Sequence, residues 1–308
     1  MAAYDAVLLI AFGGPERMED VRPFLANVLR GRPAPPERVE EVVHHYELIG
    51  GRSPLTELTL RQATALQTLL AETRPALPVY VGMRNWHPYL ADTLAAMQRD
   101  GVRRAVGLIL AAQQNDAGWG RYQRDVAEAR AALGDAAPAV DFAPNWHAHP
   151  LFIDAVADRA RHALAALPAA RRRGIQLVFT AHSIPLAMAA AAPYEGQLRI
   201  GAALVAEHLG FRDHRLAYQS RSGNPRDPWL EPDIGTLIRE EAGRGTRELL
   251  VVPIGFVCDH VEVLYDLDIE ARQIAAAAGI GFTRAETVND HPSFIRMLAA
   301  LVAAQAAT

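Results

Sequence analysis

Cysteine is almost absent from this sequence. The chain has 308 residues and one cysteine, Cys258. A single thiol cannot form a disulfide within the chain, and it cannot supply the four thiolates that hold an iron–sulfur cluster. We therefore expect no iron–sulfur cluster, and we interpret Cys258 as a small packing residue.

Long apolar runs and an excess of basic residues are missing as well. No stretch approaches the roughly 18 uninterrupted apolar residues of a transmembrane helix, and the short apolar run at the amino terminus has no basic segment before it. The formal net charge is −4, so no basic face for nucleic acid is expected. These absences predict a cytoplasmic protein without a transmembrane segment or a nucleic-acid partner.

Several common catalytic motifs are also missing. The chain has no GxGxxG after a strand, no GxxxxGK[ST] and no GxSxG, which argues against dinucleotide, nucleoside triphosphate and ester-hydrolase chemistry. It has no HExxH and no closely spaced thiols, so no permanently bound metal is predicted.

What the sequence does contain is a regular alternation of short apolar runs and amphipathic segments. Runs that are almost continuously apolar are typical of parallel strands covered on both faces, and strand–helix alternation indicates an α/β fold. The predicted strands are Ala6–Phe12, Val79–Met83, Ala105–Ala111, Val140–Ala143, Ile175–Ala181, Leu216–Ser220, Leu249–Phe256 and Phe282–Thr287. The predicted helices cover residues 19–29, 56–72, 89–99, 121–133, 151–166, 195–209, 234–243, 261–278 and 292–305.

Eight strand–helix units fit either one closed barrel or two doubly wound lobes. A segment rich in proline and alanine, residues 135–150, lies midway and separates two groups of four strands. It favours two Rossmann-like lobes, each with a four-stranded parallel sheet, with a cleft between them. In either architecture, ligands bind beyond the carboxyl ends of the strands.

The stretch "LVFTAHSIP" is the first candidate for the site. It begins in a predicted buried strand at Leu177 and ends on His182, Ser183 and Pro185. His182 thus lies where this class of fold places its chemistry. An imidazole there can accept a proton near neutral pH or bind a metal ion.

The stretch "VPIGFVCDHVEVLYDLDIEA" is the second candidate. A helix is predicted to begin near Asp259, which can cap it. Glu262, Asp266 and Glu270 recur every four residues and form a slowly rotating stripe on an α-helix, which a π-bulge would align better.

This acidic stripe has two interpretations. It is either a solvent-exposed helix face or a path for cations, and the absence of lysine and arginine from residues 252–271 favours the path. His260 and Glu262 offer a nitrogen and an oxygen ligand of the kind that suits a first-row divalent metal. A metal that passes through as a substrate is therefore compatible with this stretch.

Seven collinear stretches of the chain resemble those of the ferrochelatases, which insert ferrous iron into a porphyrin during haem synthesis. They are "LLIAFGGP", "YELIGGRSPLTELT", "VGMRNWHPYLADTL", "VFTAHSIP", "YQSRSGNPRDPWLEPDI", "GFVCDHVEVLYDLDIEA" and "VNDHPSFI". The resemblance implies two Rossmann-like lobes with the porphyrin between them. The first would comprise residues 1–145 plus 289–308, including the last helix, and the second residues 146–288.

The resemblance also implies roles for the two candidate stretches. His182 corresponds to the family's active-site histidine, and Glu262 to a carboxylate expected to face it across the porphyrin ring. Both would bind Fe²⁺ or remove protons. Asp266 and Glu270 would continue as a route for metal or protons, with Fe²⁺ as a substrate and no permanently bound cofactor.

Other positions are implied to contact the porphyrin. Candidates for the walls against its faces are Phe12, Trp86 and Trp229, and candidates for binding its carboxylates are Arg30, Ser53 and Tyr122. Phe12 departs from the tyrosine of many relatives, so any ligation or hydrogen bond from that position is lost. The loop "LAAQQNDAGWG" departs from them as well.

The expected function is therefore iron insertion into coproporphyrin III or protoporphyrin IX by a lyase that forms nitrogen–metal bonds. Handover to neighbouring enzymes of haem synthesis is a further expectation. Two alternatives stay open from the sequence: a cobalt or nickel chelatase of another tetrapyrrole, and a non-catalytic tetrapyrrole carrier. Against the carrier, holding a porphyrin requires neither His182 nor Glu262.

Overall fold

The computed structural model of the protein describes residues 4–30, 34–72, 76–222 and 226–307. The residues Gly223–Pro225 in the motif "YQSRSGNPRDPWLEPDI" lie outside these ranges.

Two separate four-stranded sheets form the framework, which rules out the closed barrel. Their strands are β1 (Ala6–Ala11), β2 (Val79–Met83), β3 (Arg104–Ile109), β4 (Ala139–Phe142), β5 (Gln176–His182), β6 (Arg215–Gln219), β7 (Glu248–Val252) and β8 (Gly281–Arg284). The orders are β2-β1-β3-β4 and β6-β5-β7-β8, and all neighbouring strands are parallel. The two sheets thus repeat one topology.

Burial follows the position of each strand in its sheet. All residues of the inner strands β1 and β7 are buried, whereas the edge strands β4 and β8 are half-buried throughout. Inner strands are covered by helices on both faces, so their sequences contain apolar residues without alternation. This is why the apolar runs predicted the fold class correctly.

The predicted strand Leu249–Phe256 is too long. β7 ends at Val252 because Pro253 has no backbone N–H to donate to a neighbouring strand. The chain then turns sharply, with the Ile254 N–H bonded to the Val252 carbonyl at 2.9 Å and the Gly255 N–H bonded to the Thr180 carbonyl at 3.1 Å. The predicted strand Phe282–Thr287 is likewise shorter and ends at Arg284.

Helices cover the sheets. They are α1 (Met18–Leu29), α2 (Pro36–Leu48), α3 (Leu55–Leu70), α4 (Leu90–Arg99), α5 (Arg121–Leu133), α6 (Pro150–Ala166), α7 (Ala169–Arg172), α8 (Leu186–Ala190), α9 (Tyr194–Leu209), α10 (Ile234–Gly243), α11 (Val261–Leu264), α12 (Arg272–Ala277) and α13 (Pro292–Ala307). Two π-helical segments, Asp116–Gly120 and Asp266–Ala271, precede α5 and α12.

Several helical predictions need correction. The predictions omitted the short helices α7 and α8, in which no residue is buried. They also omitted α2, which begins with a proline and buries only Val43 and Tyr46, so its apolar pattern is weak. The single helix predicted over 261–278 is interrupted by the π-helical segment Asp266–Ala271. There the Glu270 N–H bonds to the carbonyl five residues back, at Tyr265, over 2.9 Å.

The chain divides into two compact units. The first contains residues 1–111, 117–145 and 289–308, and the second contains 112–116 and 146–288. Residues 112–116 differ from the expected boundaries, since their side chains join the second unit: Gln113 Nε2 donates to the Ile254 carbonyl over 3.3 Å. Among the described helices, none has both the length and the apolar character needed to cross a bilayer.

Candidate active site

The order of the second sheet creates the position of the site. β5 lies between β6 and β7. The chain passes from β5 to β6 on one side, and then crosses to β7 on the other side of β5. Such a switch point leaves open space beyond the carboxyl ends of the two inner strands. His182 is the last residue of β5, and the loop after β7 leads to His260 and Glu262.

The imidazole of His182 has a defined orientation. Its Nδ1 makes a short hydrogen bond with the carbonyl oxygen of Ser183, so Nδ1 carries the proton and donates. Ser183 is itself fixed, because its N–H bonds to the Gln219 carbonyl at 2.8 Å and its hydroxyl donates to the Leu230 carbonyl at 2.9 Å. In the neutral ring, Nε2 therefore offers its lone pair to the site.

Glu262 lies beside His182 rather than opposite to it. His182 Nε2 is 3.7 Å from Glu262 Oε2, and His260 Nε2 is also 3.7 Å from that oxygen. A planar ring needs about 3.5 Å on each face, so nothing as thick as a macrocycle fits between the two groups. The expectation that they face each other across the porphyrin is wrong, because the 3.7 Å between Nε2 and Oε2 leaves no room for a ring.

The spacing suits one cation instead. Two donors that each bind a divalent ion at about 2.1 Å can be up to about 4.2 Å apart. The lone pair of His182 Nε2 and the charged carboxylate of Glu262 repel each other, and a proton or a metal ion between Nε2 and Oε2 would remove this repulsion. Within the described ranges, no group of three or more His, Cys, Asp or Glu side chains has the geometry to hold a metal ion.

Two neighbouring carboxylates of this site have very different proton affinities. Burial opposes the charge of Glu262, but His182, His260 and Ser220 outweigh it and lower the pKa of Glu262 to about 2. Burial, reinforced by the charges of nearby carboxylates, raises the pKa of Asp266 to about 7. Near neutral pH, Glu262 is therefore ionised while Asp266 exchanges a proton.

Replacement of Asp266 by asparagine is expected to change how stability depends on pH. The folded state holds the Asp266 proton up to about pH 7, whereas the unfolded state loses it near pH 4, so this stabilisation is full at low pH and is lost as the pH rises through 7. Between pH 5 and 8, the unfolding free energy of Asp266→Asn should gain about 2–3 kcal/mol relative to wild type. Urea unfolding at four pH values measures it. Parallel curves would contradict the expectation, and the exposed Asp213→Asn is the control.

Sequence reasoning missed two polar contacts of this segment. The Ser220 hydroxyl makes a short hydrogen bond with Asp266 Oδ2, and the Gln219 amide makes one with the backbone carbonyl of Glu262. Ser220 also has φ 61°, a left-handed conformation that is uncommon outside glycine and is frequent at functional sites. The available signal was the polar pair at the carboxyl end of β6. Glu270, by contrast, is exposed at the far end of the stripe.

In the first unit, Phe12 and Trp86 follow β1 and β2 and share an aromatic cluster. Each ring packs edge-on against Phe24, with centroid separations of 6.2 and 6.3 Å. Gly13 makes this possible, because it has φ 84° and a Cβ there would lie 2.9 Å from the Trp86 backbone nitrogen. Trp86 is 8% exposed and Phe12 is half-buried.

Arg30 belongs to a cluster of arginines around one buried carboxylate, Asp125. Asp125 Oδ1 is 2.9 Å from Arg30 Nη1 and 2.7 Å from Arg121 Nη2. The other oxygen, Oδ2, is 3.1 Å from Arg84 Nε. The Asp125 side chain is 7% exposed, whereas Arg30 is 34% exposed. Glu128 Oε2 is also 3.4 Å from Arg121 Nη2, so three positive charges face two carboxylates. One positive charge is left in excess, which suits anionic ligands.

Asp125→Asn should destabilise the protein by about 3 kcal/mol, because it leaves three neighbouring guanidinium groups without their shared counter-charge. Urea unfolding at neutral pH measures this, with the exposed Asp135→Asn as the control. A loss no larger than the control's would show that the arginines do not depend on Asp125.

The remaining predicted substrate positions are buried. Ser53 is 4% exposed and its hydroxyl accepts from the Leu55 N–H at 3.3 Å, while Tyr122 is 6% exposed and packs in the core of the first unit. Trp229 is 9% exposed and lies in the second unit, where it pairs with Pro185 in the segment after His182. The structure thus groups Phe12, Arg30, Ser53, Trp86 and Tyr122 in one unit, and Trp229 with His182, Glu262, Asp266 and Glu270 in the other.

Known proteins resemble this chain in both sequence and fold. Coproporphyrin III ferrochelatases of Nocardia farcinica and Mycolicibacterium smegmatis are 47% and 46% identical, with 97% of this chain and 88% and 89% of the relatives covered. A ferrochelatase of Rhodopirellula baltica is 44% identical, with 97% of this chain and 85% of the relative covered.

Among solved structures, SirB from Bacillus subtilis with Fe3+ matches with a TM-score of 0.61 at 9% identity, over 99% of this chain and 98% of that one. At so low an identity, this match shows the shared Rossmann-like α/β fold alone. The sequence profile of the ferrochelatase family matches residues 4–306. The chain belongs to the ferrochelatase family.

Proposed function

We propose that this protein is a lyase that inserts Fe²⁺ into coproporphyrin III during haem synthesis. The observation that carries the proposal is the set of donors at the end of β5, where an oriented imidazole nitrogen of His182 lies 3.7 Å from an ionised Glu262. The relatives named above as coproporphyrin III ferrochelatases support the choice of porphyrin.

Metal insertion requires a base, because two pyrrole N–H protons must leave as one Fe²⁺ enters. His182 suits the role of proton acceptor at Nε2, since Nδ1 already donates to the Ser183 carbonyl. The charge of Glu262 would stabilise the imidazolium that forms. The Ser183 carbonyl orients the ring through Nδ1, and Glu262 faces Nε2, the nitrogen that would accept the proton.

Glu262 is also suited to receive the cation. Its low pKa keeps it ionised near neutral pH, so it can attract Fe²⁺ without first losing a proton. Asp266, with a pKa of about 7, can take up a proton and release it to solvent. The two carboxylates would thus have different roles: Glu262 would bind the metal, and Asp266 would transfer protons to solvent.

The cationic cluster of the first unit supports a substrate with several carboxylates. The three arginines around Asp125 exceed the charge of their two carboxylate partners by one, so a porphyrin carboxylate would be bound by guanidinium groups that are already held in place. Contacts of the porphyrin with Phe12, Ser53, Trp86, Tyr122 and Trp229 stay predictions. We also propose that Fe²⁺ is a substrate and that no cofactor or iron–sulfur cluster is permanently bound. A cytoplasmic location and handover to neighbouring enzymes stay predictions too.

Anaerobic Fe²⁺ insertion, assayed separately with coproporphyrin III and protoporphyrin IX, tests the proposal. We expect turnover with coproporphyrin III and a lower kcat/KM with protoporphyrin IX. No turnover with either, but insertion of Co²⁺ or Ni²⁺ into another tetrapyrrole, would favour a different chelatase. Tight porphyrin binding without any metal insertion would favour a carrier.

Cys258→Ser should retain activity, because Cys258 is buried and forms no disulfide.

A further inference from the structure

Arg284, the last residue of β8, holds a charge in a buried position. Its side chain is 10% exposed. Nε donates to Asp268 Oδ1 over 2.8 Å and Nη2 to Asp268 Oδ2 over 2.7 Å. Nη1 donates to Asp259 Oδ1 over 3.0 Å and to the Ala285 carbonyl over 3.1 Å. All three guanidinium nitrogens are thus engaged, two of them in a bidentate pair.

The two carboxylates that Arg284 binds lie on either side of the donor segment, residues 260–266. Asp259 immediately precedes this segment, and Asp268 follows it within the π-helical segment. Asp259 does not cap the following helix, contrary to the prediction from the sequence, and it accepts from the Thr287 N–H at 3.4 Å instead. One side chain on β8 therefore anchors both ends of the donor segment.

The donor segment needs such an anchor. α11 has four residues and no side-chain cap at His260, and helices this short are not stable in isolation. The π-helical segment that follows is rare in proteins and has a different pitch from the flanking α-helices. A guanidinium fork fixes both the distance and the orientation of a carboxylate, which a single ammonium cannot do.

We propose that Arg284 is a positioning residue for iron insertion. By holding Asp259 and Asp268 together, it fixes the places of His260, Glu262 and Asp266 relative to His182. Arg284 acts through the donor segment rather than on the substrate. The proposal rests on the proposed function, because it assigns Arg284 a part in the same reaction.

A matched control exists in the same unit. Arg171 also forms a bidentate pair with a buried carboxylate, donating from Nε and Nη2 to the two oxygens of Glu248 over 2.8 Å each. Glu248 is 4% exposed, but it begins β7 and so lies at the amino ends of the strands. Arg171→Lys therefore disrupts a similar ion pair at the opposite end of the sheet from the donor segment.

The test compares Arg284→Lys with Arg171→Lys in the full-length protein. Both substitutions keep the positive charge and remove the planar guanidinium that binds a carboxylate at two points. Anaerobic kinetics with Fe²⁺ and coproporphyrin III varied separately give kcat and both KM values. Co²⁺ titration without porphyrin, followed by visible absorption, gives metal affinity directly. Urea unfolding of both variants gives the loss of stability for comparison.

Arg284→Lys should raise the KM for Fe²⁺ and weaken Co²⁺ binding, each by about tenfold or more, as found when groups that orient metal ligands are removed. The KM for coproporphyrin III should stay within about twofold of the wild-type value, since Arg284 acts through the donor segment and not on the porphyrin. Arg171→Lys should leave both KM values, kcat and Co²⁺ affinity unchanged. Asp268→Asn, which keeps Arg284 and nearly the same volume, should reproduce the Arg284→Lys result even if the lysine variant folds poorly.

Each other outcome is decisive. If Arg284→Lys or Asp268→Asn loses stability but keeps the wild-type KM for Fe²⁺ and Co²⁺ affinity, Arg284 serves stability alone and the proposal is overturned. Equal kinetic losses in Arg171→Lys would overturn it too, as would a wild-type protein that does not bind Co²⁺. If wild type binds Co²⁺ but inserts no iron, the proposed function fails, while the affinity comparison still decides on the positioning role.

Discussion

Replacement of His182 by alanine is expected to lower kcat/KM for Fe²⁺ insertion by about 10³-fold, which is within the range that a positioned general base contributes. The variant removes Nε2, the atom that lies 3.7 Å from Glu262 Oε2. The anaerobic assay with coproporphyrin III measures the loss directly.

Two comparisons separate a chemical role of His182 from a structural one. His162→Ala, on the exposed face of α6 with 76% of its side chain accessible, should retain full activity. Added imidazole should restore part of the activity of His182→Ala, because a free base can enter the space that the ring has left. Undiminished turnover in His182→Ala would remove the proposed mechanism, whereas a loss that imidazole cannot restore would point to a structural role.

Replacement of Glu262 by glutamine is expected to lower kcat by about 10²–10³-fold, comparable to the removal of one preorganised electrostatic group from an active site. Glutamine keeps the shape of the side chain but removes the charge that stabilises an imidazolium at His182 and attracts Fe²⁺. The KM for Fe²⁺ should therefore rise as well. Steady-state kinetics with Fe²⁺ varied at saturating porphyrin measure both effects.

The double variant provides a sharper test. If His182 and Glu262 act on the same proton and the same cation, the losses of the two single variants should not add, and the double variant should be little worse than His182→Ala alone. Additive losses would show that the groups act independently, in conflict with their 3.7 Å separation. Glu207→Gln, exposed on α9, is the control and should have no effect.

The sequence predicted the fold class well because the signal for it is local. Each inner strand is buried on both faces, so its own residues reveal its place, as in Ala6–Ala11. His182 could be placed at the site for the same reason, since it directly ends such a run. Where a strand ends is decided less locally. β7 stops at Val252 because the proline that follows cannot donate to a neighbour, although the apolar run continues.

The contacts of the acidic stripe could not be predicted. Its residues are close in sequence, but groups that they contact come from elsewhere in the chain: His182 for Glu262 and Ser220 for Asp266. Sequence periodicity describes one face of a helix and says nothing about which neighbours pack against it. It likewise could not show that Glu270 is exposed while Asp266 is mostly buried.

By itself, the sequence determined the succession of strands and helices, the family, and the residue types that the chemistry needs, because these depend on short-range patterns. Tertiary structure alone decided that the imidazole and the carboxylate stand side by side. The order β6-β5-β7-β8 brings the ends of two strands together that are some seventy residues apart in the chain. Proton affinity and metal affinity depend on distances of a few ångströms, and only the folded chain sets those.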